Sequence, residues 1–108
     1  MVLLITENWW PANKSAEVGK KYLDAMKKYP DDKSVEKPIL RSAVWTTCEG
    51  MHSITVSSVM PGKVKEVMDI AMNRLLMISA IEGYRYEIHV AYDLVEAMPF
   101  VGLSAPKE

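Results

Sequence analysis

The sequence predicts a single α+β domain: a four-stranded antiparallel sheet with two helices on one face. Three observations predict it. Four short segments are rich in β-branched and aromatic residues and alternate with period two. Two longer segments repeat apolar residues every three to four positions, and the order along the chain is β-α-β-β-α-β. A chain of 108 residues has room for one core. The domain is expected to span residues 1–95, with 96–108 as an irregular tail carrying Pro99 and Pro106.

Val2 to Trp9 reads as a strand that stops at Pro11. Asn13 or Ser15 then offers an N-cap, and Val18, Tyr22, Ala25, Met26 and Tyr29 form a helical stripe ended by Pro30. Residues 31–38 are a polar connector. Ile39 to Thr47 and Ser53 to Met60 read as a strand pair, with Cys48 to His52 as the hairpin connection and Gly50 supplying a positive φ. Lys63 to Ile81 carries the strongest helical stripe (Val64, Val67, Met68, Ala71, Leu75, Ile78), with Gly83 as the stop. Ile70, Met72, Leu76, Met77 and Ile81 widen its apolar arc, which predicts contact with another subunit or cover by Phe100 and Val101 of the tail. Tyr84 to Leu94 reads as the fourth strand.

Composition excludes several roles. Thirteen Lys plus Arg against fourteen Asp plus Glu leave a net charge of -1, too little positive charge to neutralise phosphates, so no nucleic-acid partner is expected. The single cysteine, Cys48, points to a reducing compartment, and a cytoplasmic location is the expectation. Val2 to Ile5 is too short an apolar run for a signal peptide or a membrane span, and no membrane partner is expected. No phosphate loop, zinc-type cysteine pair or serine elbow appears, and no cofactor is expected.

This arrangement is ferredoxin-like, and over Val2 to Leu94 the chain resembles the dimeric α+β barrel superfamily. That superfamily includes small antibiotic-biosynthesis-type monooxygenases and uncharacterised stress or ligand-binding proteins. The resemblance implies that two helix-free sheet faces close on each other, with the chain itself as partner. Haem-degrading barrels carry an Asn in the first strand, and Glu7-Asn8 is similar to that position; their Trp and His on or after the second helix have no counterpart on the second helix here.

Alternation places Leu3, Ile5 and Trp9 on one face of the first strand and Leu4, Thr6 and Asn8 on the other. Ile54 and Val56 oppose Ser53, Thr55 and Ser57; Tyr86, Ile88, Val90 and Tyr92 oppose Arg85, Glu87, His89 and Ala91. The apolar sets are expected under the helices. Thr6, Asn8, Arg41, Trp45, Thr55, Ser57, Glu87 and His89 are then the expected lining of a chamber between two sheets, binding a small, partly apolar molecule. Asn8 as an oxyanion donor beside His89 as a proton carrier would suit cofactor-free oxidation or isomerisation. A third reading is a structural self-assembling protein. Glu87 and His89 alone supply two metal ligands, too few for a site, and no metal is expected.

Overall fold

The computed structural model describes residues 1–106. Lys107 and Glu108, at the end of the expected tail, lie outside the described residues. The chain is an α+β domain with an antiparallel four-stranded open sheet and three helices. Strands β1 (Val2–Trp10), β2 (Glu36–Thr47), β3 (Gly50–Val59) and β4 (Arg85–Tyr92) lie in the order β2-β3-β1-β4. Helix α1 (Ser15–Lys28) connects β1 to β2, and α2 (Val64–Ile78) connects β3 to β4. No helix is long and apolar enough to cross a membrane among the described residues.

Local chemistry sets the ends of these elements. No side chain caps α1: the Ser15 hydroxyl instead donates to the Ala12 carbonyl and accepts from the Trp10 indole. The α2 backbone tightens after Ile78, where the Ile81 amide bonds the Ile78 carbonyl, so the helix stops earlier than the apolar stripe does. The β2–β3 turn is tighter than expected. His52 lies three residues inside the ladder, opposite both Trp9 and Trp45, and not at a hairpin tip. The tail is not irregular throughout: Leu94–Ala97 forms a one-turn helix α3, capped by Asp93, and Met98–Val101 a 3₁₀ turn.

Two small apolar clusters hold the layers together. Leu4, Val35, Val59 and Val67 form one, and Val18, Ile78 and Ile81 the other. Phe100 and Val101 do not cover α2; Phe100 is 76% exposed and packs beside Tyr92. Met72 and Leu76 of α2 remain at the surface.

The faces of β1 and β3 are the reverse of the expectation. Leu4, Thr6 and Asn8 point under the helices, together with Ser53, Thr55 and Ser57, their register partners or next neighbours. Leu3, Ile5, Glu7 and Trp9 lie on the helix-free face, with Ile54 and Val56. Arg85, Glu87 and His89 of β4 lie on that face as expected. The helix layer tolerates the polar set because Asn8 and Ser53 hydrogen-bond each other while Thr6, Thr55 and Ser57 border a cavity instead of a packed core.

Candidate functional site

Between the two apolar clusters, helices and sheet form a half-open cavity of about 140 Å³. Its floor is hydroxyl and amide: Thr6 and Thr55 stand directly opposite each other in the β1–β3 ladder, flanked by Asn8 and Ser57. The walls are aliphatic, from Leu4, Met26, Ala71, Leu75 and Ile78. Small residues make the room. Ala25 of α1 and Ala71 of α2 stand where larger side chains would fill the space between the layers.

Asn8 is fixed in orientation. Its Nδ2 donates to Ser53 Oγ at 3.1 Å, and its Oδ1 accepts a short hydrogen bond from the Tyr84 hydroxyl. Burial, and secondarily the neighbouring Tyr86, pushes the Tyr84 phenol well above its usual range, so it stays a donor. Replacing Tyr84 by Phe leaves the buried Asn8 carbonyl without this donor and should cost about 1–3 kcal/mol, read from urea unfolding. A raised folded-state pKa contributes stability that is complete below the unfolded phenol value, about 10, and fades as pH rises through the folded one. The wild type should therefore weaken more steeply above pH ~10 than Tyr84→Phe does.

The cavity mouth lies between α1 and β2. Asp31, in the loop joining them, accepts from Arg41 Nη1 at 2.6 Å and from Arg74 Nη2 at 3.0 Å. Burial would raise the Asp31 carboxyl, but the hydrogen bonds and charges of both guanidiniums outweigh it and hold the pKa below the ordinary range. Arg74 also donates through Nε to the Tyr29 carbonyl at 2.7 Å, tying α2 to the end of α1. Glu36 accepts from Ser57 at 2.8 Å. The two arginines and two carboxylates that line the cavity cancel, so the lining carries no net charge.

The expected site is thus split between the two faces. Thr6, Asn8, Arg41, Thr55 and Ser57 line the cavity under the helices. Trp45, Glu87 and His89 lie on the open face. Asn8 and His89 do not meet: Asn8 pairs with Tyr86 and His89 with Ile5, three positions apart on opposite faces. One substrate bound to this chain cannot touch both, which separates the expected oxyanion donor from the expected proton carrier. The geometry adds Tyr84, Arg74 and Asp31 to the cavity, and Glu7 and His52 to the open face. Of these, Glu7 carried a readable signal. It alternates with Ile5 and Trp9, and a carboxylate on that face is out of place beneath apolar helices.

No protein-family model matches the sequence, and no curated protein does. Among solved structures the chain is similar to a de novo designed protein, Foldit4. The likeness has a TM-score of 0.50 at 14% identity and covers 85% of this chain and 96% of that one. At that identity it is a likeness of fold alone.

Proposed function

We propose that the chain is one subunit of a ferredoxin-like homodimer of the α+β barrel kind, and that each subunit binds one small, neutral, partly apolar molecule under its helices. The observation that carries the ligand reading is the cavity itself: a hydroxyl and amide floor, aliphatic walls and cancelling charges. Its volume of about 140 Å³ is close to that of a cavity known to take benzene, about 150 Å³. The ligand class is therefore a single ring, or a chain of similar bulk, with one hydroxyl or carbonyl to meet Thr6, Thr55 or Asn8.

Self-association is supported by the surface the chain leaves uncovered. Its accessible area is 7233 Å², about 1,200 Å² more than a monomer of 12.2 kDa ordinarily presents. A standard interface buries about 800 Å² per partner. The radius of gyration is 15.5 Å, against about 13 Å for a compact domain of this length. The strand order and the half-covered Leu3, Ile5, Ile54 and Val56 point to the helix-free face as the surface for a second copy.

Calorimetric titration with phenol, together with native mass spectrometry of the purified chain, tests the ligand. Saturable binding of one phenol per chain, abolished by Ala71→Phe with the helical spectrum retained, is the expected result. Binding unchanged by Ala71→Phe and by Thr6→Val would overturn the cavity as the site. Light scattering tests the dimer independently: twice the chain mass is expected, and a monodisperse monomer at high concentration refutes it.

A further inference from the structure

We infer that Glu7, Glu87 and His89 form a binding site for a first-row divalent cation on the helix-free face, with His52 as the residue that positions Glu7. The site rests on this chain's own strands and lies across the sheet from the cavity, so it stands or falls separately from the ligand reading.

Register assembles the donors. Glu7 of β1 is directly opposite Glu87 of β4, and His89 is the next residue along β4 on the same face. His89 Nε2 lies 3.3 Å from Glu87 Oε2 and 3.7 Å from Glu7 Oε1. One donor atom from each of the three residues falls within 4.8 Å of the others. Donors bound to one ion at about 2.1 Å stand roughly 3.0 Å apart at right angles and 3.4 Å apart in a tetrahedron. The two imidazole–carboxylate separations are already near those values. Drawing the two carboxylates together closes the remaining gap.

The second oxygen of Glu7 is held. His52 Nε2 lies 3.1 Å from Glu7 Oε2. The His52 ring packs between Trp9, 4.7 Å away and nearly parallel at 22°, and Trp45 at 4.3 Å. An imidazole fixed between two indoles and bonded to a carboxylate is the outer support that ligating carboxylates use. It leaves Oε1 aimed at His89.

Charge favours a cation here. Like charges directly opposite in a sheet repel, and Glu7 faces Glu87. The guanidinium on this face, Arg85, lies over the Trp9 ring at 5.9 Å and pairs with neither carboxylate among the described residues. Glu7, His89 and Glu87 are 29%, 45% and 61% exposed in the single chain, and in the proposed dimer they face the space between the two sheets, from which an ion would reach them. One nitrogen and two carboxylate oxygens suit Zn²⁺, Co²⁺ or Mn²⁺, and the imidazole disfavours Ca²⁺ and Mg²⁺, which take oxygen shells. Three protein ligands leave at least one coordination position for water or an exogenous anion.

The test is Zn²⁺ titration of the full chain by calorimetry, in a Cys48→Ser background that removes the exposed thiol. One ion per chain is expected, with excess Mg²⁺ failing to compete. Glu7→Gln and His89→Ala should each weaken binding at least ~10-fold. Glu87→Gln, on the most exposed of the three side chains, should do the same with the urea-unfolding midpoint unchanged. Co²⁺ should quench the fluorescence of Trp9 and Trp45, and His89→Ala should remove that quenching. His52→Ala should weaken binding, and His52→Gln, which keeps a donor for Glu7, should restore most of it. Absence of saturable Zn²⁺ binding, or binding indifferent to Glu87→Gln and His89→Ala, overturns the site. Equal competition by Mg²⁺ overturns the choice of cation.

Discussion

Replacing Leu4 by Ala is expected to lower the unfolding free energy by about 2–5 kcal/mol, near the upper end of that range. Leu4 is 5% exposed and sits in the cluster with Val35, Val59 and Val67, which joins β1, β3, α2 and the β2 approach. Its other side borders the cavity. A truncated side chain normally lets its neighbours relax into the space, and that relaxation softens the penalty. Here the new void would merge with one that already exists, and the cavity floor of Thr6 and Thr55 is held in the ladder and cannot move in. Urea unfolding should show a lower midpoint with an unchanged slope. A loss below about 1 kcal/mol would mean that the cluster does not anchor the helices.

Gly50→Ala should be nearly as damaging, for a reason with no apolar burial in it. Gly50 opens β3 at φ +126°, where an L side chain is strained. A Cβ built there meets the Trp10 carbonyl oxygen at 2.7 Å and the Pro11 Cα at 3.5 Å. Both are backbone atoms, so no rotamer change relieves the clash with the carbonyl. Strain and clash together should cost about 2–4 kcal/mol, and the thermal midpoint should fall by more than ~10 °C. Retention of the wild-type midpoint would show that the β1 end and the hairpin are not wedged together as described. The same substitution should disturb the open-face cluster, because His52 follows Gly50 by two residues and depends on the same hairpin for its place between the indoles.

The strands and helices were legible because their periods differ, and each kept its position to within a few residues. Val67, Leu75 and Ile78 of the α2 stripe are buried as the spacing predicts. The faces were harder. A period of two says which residues share a side and leaves open which side the helices land on. Assigning the aliphatic sets to the helix layer was reasonable where a sheet has one wet face. It failed at Leu3, Ile5, Ile54 and Val56, because this helix layer spans a polar-floored void and the other face is itself half apolar. Thr6, Asn8, Arg41, Thr55 and Ser57 were legible as a set, whereas their distance from His89 depends on that phase. The Glu7–Glu87 opposition was out of reach, since cross-strand register between β1 and β4 is a product of tertiary packing. Tyr84 and Arg74 were hidden for the same reason: they approach Asn8 and Asp31 from 76 and 43 residues away.

Strand β2 runs for twelve residues along the outer side of the sheet, and Ile39, Val44 and Trp45 on it are 56%, 52% and 42% exposed. Such a strand would ordinarily be a template for runaway fibre growth, because its free amide and carbonyl groups invite another strand. Its irregularity defends it. Pro38 offers no N–H, and the ladder slips between Pro38 and Leu40 and again between Leu40 and Ala43. A stranger docking there finds hydrogen-bonding groups out of step, flanked by the charges of Lys37 and Arg41. The bulges and the missing amide of Pro38 thus make this apolar border a poor template for a further strand.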